Sequence, residues 1–114
     1  MSAADEILKQ RRAELAHKFL KRSREDVSML QACLASASAD APLSGASDLK
    51  MSAHKIVGTG ATLGLDALSE LGRELEMRLS HSALGTPVTA SELEALRGAA
   101  ARLLTAVEDL LAAR

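Results

Sequence analysis

The sequence predicts an all-α chain, an up-and-down antiparallel four-helix bundle with a short extra helix at the N-terminus. Three observations lead there. The chain is 47% apolar, yet Phe19 is its only aromatic residue, so the core must come from Leu, Ala, Val, Ile and Met. A sheet would want β-branched and aromatic side chains, whereas these residues suit helix packed on helix. Apolar residues recur at three- and four-residue intervals over most of the length. Two stretches interrupt that period, Ala35 to Gly45 and Ser80 to Ala90, each with one proline among small polar residues.

These interruptions leave three blocks. The first, about Ala3 to Leu34, is heavily charged, and Ile7, Leu15, Phe19, Leu20, Val27, Leu30 and Leu34 mark its apolar faces. The polar run Arg22 to Asp26 is read as a bend that separates a short helix from a longer one. The middle block, Ser47 to Leu79, is too long for one ordinary helix, and Gly64 followed by Asp66 reads as a helix stop and a new start. Two antiparallel helices with a tight turn at Gly64 result. The second of them should bury Leu65, Leu68, Leu71, Leu75 and Leu79, with Gly72 admitting a close neighbour. The third block opens on Thr89 with Glu92 three residues later, a capping box, and carries Leu93, Leu96, Leu103, Val107, Leu110 and Leu111 at helical spacing.

At 114 residues the chain fits a single domain, residues 1–114. The balance of 14 Lys and Arg against 15 Asp and Glu gives no general electrostatic attraction to nucleic acid or an anionic membrane, and aromatic stacking on bases is excluded. Met1 to Arg12 turns basic too soon after Ile7 for a signal peptide, and no apolar run approaches the ~20 residues of a membrane span. With Cys33 the lone cysteine, the sequence reads as cytoplasmic. Cys33, His17, His54 and His81 form no ligand pair at helical or turn spacing, so no metal site is expected. Cys33 is read as a small core or near-core residue, His17 and His81 as surface residues, and Lys9 to Arg12 as a solvated helix face.

The informative stretch is Ser47 to Gly64. With Leu49 at zero and about 100° per residue, Ala53, Ile56, Gly60 and Leu63 fall within about 40° of it and define the buried stripe. His54 falls about 140° away, on the outer face with Ser47, Lys50, Gly58 and Ala61 around it. A helical side chain leans over the preceding turn, so the residue four places after a histidine would cover its ring. Gly58 covers nothing. A glycine inside a helix costs about 1 kcal/mol relative to alanine. Gly60 can recover some of that through close packing, but Gly58 faces outward and is justified only if something large must approach His54. An exposed neutral imidazole is a competent nucleophile. Phosphoryl transfer needs positioning and charge neutralisation, and the cations at hand are Lys50, one turn before His54, and Lys55, about 100° round the helix.

The run His54-Lys55-Ile56-Val57-Gly58-Thr59-Gly60-Ala61-Thr62-Leu63-Gly64, followed by Leu68, Leu71 and Glu74-Leu75-Glu76, resembles the phosphohistidine signature of the histidine phosphotransfer (HPt) family. The specific motif occupies His54 to Gly64 and the broader resemblance about Leu15 to Leu111. It implies a carrier in a multistep phosphorelay of two-component signalling. Such a carrier accepts a phosphoryl group from a receiver aspartate on His54 and passes it to another receiver. Its partners would be response regulator receiver domains and a hybrid sensor kinase, with Mg²⁺ supplied by the receiver and no intrinsic cofactor. The resemblance leans towards a monomer. It makes His54 the phosphorylated histidine and Gly58 the clearance glycine, while Val57 stands where many members have lysine. Lys50 or Lys55 is the substitute the sequence offers, and Lys50, Met51, Val57, Gly58 and Ala61 the docking surface around His54.

Other readings have less behind them. Gly58-Thr59-Gly60 with Gly64 is not a dinucleotide fingerprint, because the last glycine is one place late and no strand precedes it. A Gly-Lys-Ser/Thr phosphate loop is absent, so autonomous kinase activity is not expected, and no paired carboxylates or nucleophile with its base suggest an independent catalytic site. The alternative is a non-catalytic interaction module of the same fold, which Val57 favours and Gly58 opposes.

Overall fold

The computed structural model describes residues 2–82 and 85–113. The elements run α1 (Ala3–Ser36), β1 (Ala41–Pro42), α2 (Ala46–Thr62), α3 (Asp66–Ser82), β2 (Pro87–Val88) and α4 (Ala90–Ala112). The expected all-α four-helix bundle is the fold found. One feature differs: there is no separate short N-terminal helix, because α1 runs unbroken through Arg22 to Asp26. That run holds no glycine or proline, its outer side chains form an Arg22–Asp26 pair four residues apart, and Ser23 is buried between Leu20 and Val27. The buried stripe stays in phase across the supposed bend. α1 starts on a full capping box, with Ser2 and Asp5 each accepting from the other's backbone N–H. At α4 only half of the expected box forms, Thr89 Oγ1 accepting from Glu92 N at 3.1 Å.

The middle block divides where Gly64 predicts. Gly64 has φ +75°, Leu65 N donates to Gly60 O at 2.8 Å and Gly64 N to Ala61 O at 3.2 Å, the paired bonds of a Schellman motif that only a left-handed residue closes at low cost. α2 and α3 therefore fold back on each other as an antiparallel hairpin. The tight approach lies at Gly72, where an added Cβ would stand 3.2 Å from Ile56 Cγ2 and 3.3 Å from Val57 Cγ2. A Cβ at Gly60 would meet Ser69 and Leu65 only at 3.5 Å. Ser69, buried in this seam, donates from Oγ to Val57 O at 2.8 Å. Gly72→Ala is expected to destabilise the bundle by about 1–3 kcal/mol through overpacking. Gly60→Ala should cost far less, a contrast that thermal unfolding of the two variants would read directly.

α1 packs chiefly on α4, and α3 closes on α4, while the α1–α2 seam is the loosest of the four. Leu20, Val27, Leu30 and Leu34 of α1 meet Ala53 and Ile56 of α2, Leu68, Leu75 and Leu79 of α3, and Leu93, Leu96, Leu103 and Val107 of α4 in one core. Leu65 and Leu71 are half-buried at its margin. Arg97 ties the ends of α1 and α4 together, Nε donating to Leu34 O at 3.0 Å and Nη2 to Ala37 O at 3.2 Å. These carbonyls at the end of α1 have no basic residue in their own last turn. The two proline-bearing connections meet as a minimal antiparallel bridge, Ala41 opposite Val88 and Pro42 opposite Pro87. The second connection starts later than Ser80, since α3 continues to Ser82, and its Ala83 and Leu84 lie outside the described residues.

One side chain departs from its expected burial. Cys33 is exposed, because Leu30 and Leu34 take the core-facing positions of that turn and leave Cys33 on the outer side. Ile7 and Leu15, which mark apolar faces of the first block, are exposed as well. Burial along α1 begins only at Ala16.

Candidate functional site

α2 presents most of its two faces as the angles require, with Leu63 of the inner stripe and Lys50 of the outer face half-buried. Leu49, Ala53, Ile56 and Gly60 are buried, while His54, Met51, Gly58 and Ala61 are exposed. Above Gly58 the space is open, for a Cβ placed there would find nothing within 4 Å. The backbone under it stays regular, and Thr62 Oγ1 donates to Gly58 O at 3.0 Å.

The partner of His54 comes from α3, outside the local pattern of α2. Nδ1 lies 3.1 Å from both Oε1 and Oε2 of Glu76, which reaches across from α3. The His54 side chain is 65% exposed and that of Glu76 23%, so the carboxylate forms the wall behind the ring. An ionised carboxylate only accepts hydrogen bonds, hence the proton of a neutral imidazole sits on Nδ1 and the lone pair on Nε2. Held this way, the ring offers Nε2 as its nucleophilic atom. Only the turn at Gly64 signals it in the sequence. A hairpin folded about Leu65 brings position 54 level with position 76, and Gly72 opposite Ile56 and Val57 fixes the same register.

The remaining predicted residues are spread around this pair. Val57 is half-buried and packs on Gly72, so at the position where the family often has lysine this chain places part of the α2–α3 seam. Lys50 is half-buried one turn before His54. Lys55 borders the α1–α2 seam with Phe19, Arg22 and Asp26. Neither lysine forms a hydrogen bond or ion pair among the described residues. Met51 is joined by a second exposed methionine, Met77, one residue beyond Glu76. Met51 stands about one turn before His54 on α2 and Met77 next to Glu76 on α3, and each offers flexible apolar surface. His17 and His81 lie on the surface, far from His54 in the chain. Among the described residues no three His, Cys, Asp or Glu side chains converge as a metal site would need. No helix in them is long and apolar enough to cross a membrane.

No curated protein and no solved structure matches the chain. A family model does, the Hpt domain, over residues 14–113. That span takes in the whole bundle and leaves out the exposed start of α1. The chain belongs to the Hpt family, whose members carry out histidine phosphotransfer in phosphorelay signalling.

Proposed function

We propose that this protein is a cytoplasmic phosphorelay carrier that takes a phosphoryl group from a receiver aspartate onto His54 Nε2 and delivers it to a second receiver. The observation that carries the reading is the His54–Glu76 pair beside the open space at Gly58. In the forward step the Nε2 lone pair attacks phosphorus, the N–P bond forms, and the P–O bond to the receiver's aspartate breaks, returning that carboxylate. No proton needs to leave Nε2. The Nδ1 proton stays against Glu76, whose negative charge offsets the positive charge that develops on the ring. Phosphoryl transfer also needs a divalent cation against the equatorial oxygens, which the receiver brings. The chain itself supplies the nucleophile, its tautomer and a docking face of Met51, Val57, Gly58, Ala61 and Met77. The upstream donor in this scheme is a hybrid sensor kinase acting through its own receiver.

The test mixes the protein with a phosphorylated receiver domain and Mg²⁺ and follows the label. Transfer that yields an acid-labile, base-stable phosphate supports an N–P bond on histidine. An absence of label across a panel of receivers, with the helical spectrum intact, would leave the non-catalytic interaction module that Val57 favours. Of the two candidate cations, Lys55→Ala is expected to change the transfer rate by less than about twofold. Lys50→Ala should slow it several-fold, and unchanged rates for both would remove lysine from the charge balance.

A further inference from the structure

The first third of α1 stands outside the bundle. Residues 3–15 are all exposed, with Ile7 at 60%, Leu8 at 67% and Leu15 at 50%. α2 ends at Thr62, and the α1–α2 seam is lined by Phe19, Arg22, Ser23 and Asp26 with Ser52, Lys55, Ile56 and Thr59; in antiparallel helices this levels Phe19 with Thr59 and Asp26 with Ser52, so α1 projects past the α2–α3 turn as a free arm. The capping box at Ser2 and Asp5 nevertheless specifies where this helix starts.

Charge is sorted along and around the arm. Residues 8–24 hold seven of the 14 Lys and Arg and one of the 15 Asp and Glu, a net +6 that leaves −7 on the rest of the chain. At about 100° per residue, Arg11, Arg12, Leu15 and Phe19 lie within about 60° of Leu8, while Glu6 and Glu14 lie more than about 100° away. The same stripe continues into Asp26, which faces α2. The apolar and basic side of the arm therefore looks out over the α2–α3 turn, on the side of the molecule that α2 occupies. His54 is level with Ser23 and Arg24 of α1, so Leu15 lies roughly 12 Å further along the axis and Arg12 roughly 17 Å. A partner about 30 Å across, centred on His54, reaches the base of the arm.

Resting on the phosphorelay reading, we infer that the α1 arm is a second docking element, gripping the receiver seated on α2 through an acidic surface with an apolar centre. The charge logic is general. A domain that presents a phosphorylated carboxylate holds its divalent ion with further carboxylates, so the face it turns to His54 is flanked by acid. Leu8 and Leu15 supply a small apolar centre, and Arg11, Arg12 and Lys18 a cationic margin that orients the encounter before contact. The arm thereby selects among receivers by their charge, while His54 and Glu76 perform the same chemistry on any that dock.

Binding, rather than transfer, tests this. The full-length protein would be titrated with isolated receiver domains of acidic and of basic net charge, in Mg²⁺, at low and high salt. Against acidic receivers, Arg11→Glu combined with Arg12→Glu and Lys18→Glu is expected to weaken binding about tenfold or more at low salt and to flatten the salt dependence. Glu6→Lys with Glu14→Lys, on the opposite side of the arm, should not weaken it. Circular dichroism would show both variants helical, since Ser2 and Asp5 are untouched. Equal affinity for wild type and the triple variant overturns the inference. So does a triple variant that loses only binding to vesicles of anionic phospholipid, which would make the arm a membrane contact. Labelling of His54 in the wild-type protein separates the two readings, because label requires the chemistry of the site whereas binding through the arm does not. Receivers that bind through the arm yet never label His54 would sink the phosphorelay reading and leave the arm standing.

Discussion

His54→Gln is expected to lose all phosphoryl label from a phosphorylated receiver, and Glu76→Ala to slow labelling by about a hundredfold. Both should do so without unfolding the bundle. Two residues are enough for these effects because the site is small. Among the described residues, the one side chain hydrogen-bonded to His54 is that of Glu76. Glutamine removes the nucleophile and leaves a side chain of similar reach on an exposed face. Alanine at 76 leaves the nucleophile but frees the ring, which then divides its time between tautomers and rotamers that aim Nε2 elsewhere. An exposed pair of this kind contributes only about 0–1 kcal/mol to stability, so the melting temperature should barely move while the rate falls. Glu76→Gln is the informative intermediate. Its amide oxygen can still accept from Nδ1, but it carries no charge to offset a cationic ring. A rate between those of wild type and Glu76→Ala would divide orientation from electrostatics. The tautomer can be read independently from the ¹⁵N shifts of the His54 ring. A wild-type ring protonated on Nε2 would contradict the assignment, as would an undiminished rate in Glu76→Ala.

How much of this site the sequence disclosed depends on the range of the interaction concerned. Periodicity is local, so α2 could be oriented residue by residue, and the exposure of His54 and the clearance at Gly58 followed from angles alone. The Gly64 turn was readable for the same reason, since a left-handed residue before Leu65 and Asp66 is a local demand. The Glu76 contact depends on the register between two helices. That register is set by Gly72 against Ile56 and Val57 and by Ser69 bonding to Val57 O, packing facts that no single-helix pattern contains. Val57 shows the same limit from the other side. As a departure from a motif it looked like a missing cation, whereas in the fold it fills the α2–α3 seam. The continuity of α1 is hidden because polar Arg22 to Asp26 mimics a loop, although it lacks any residue that would end a helix. Ile7 and Leu15 show a further limit, because amphipathic spacing marks a face without saying whether anything covers it.

Gly58 offers a prediction with opposite signs in stability and function. Gly58→Ala is expected to stabilise the protein by up to about 1 kcal/mol, because it removes the backbone freedom of glycine from a helix interior and its methyl meets nothing within 4 Å. A single methyl should slow transfer only mildly. Gly58→Leu keeps most of the helix gain, yet its side chain leans back over the turn that carries His54 and occupies the approach to Nε2. Transfer from a receiver should then fall by about a hundredfold, the scale expected when a reacting atom is displaced by about 1 Å. A small donor such as phosphoramidate needs less room, so its labelling of His54 in Gly58→Leu should fall much less. Urea unfolding gives the stability half and the two donors give the functional half. Were Gly58→Leu both more stable and fully active with receivers, the outward glycine would have no bearing on access to His54, and the helix would be carrying its cost for a reason unconnected with transfer.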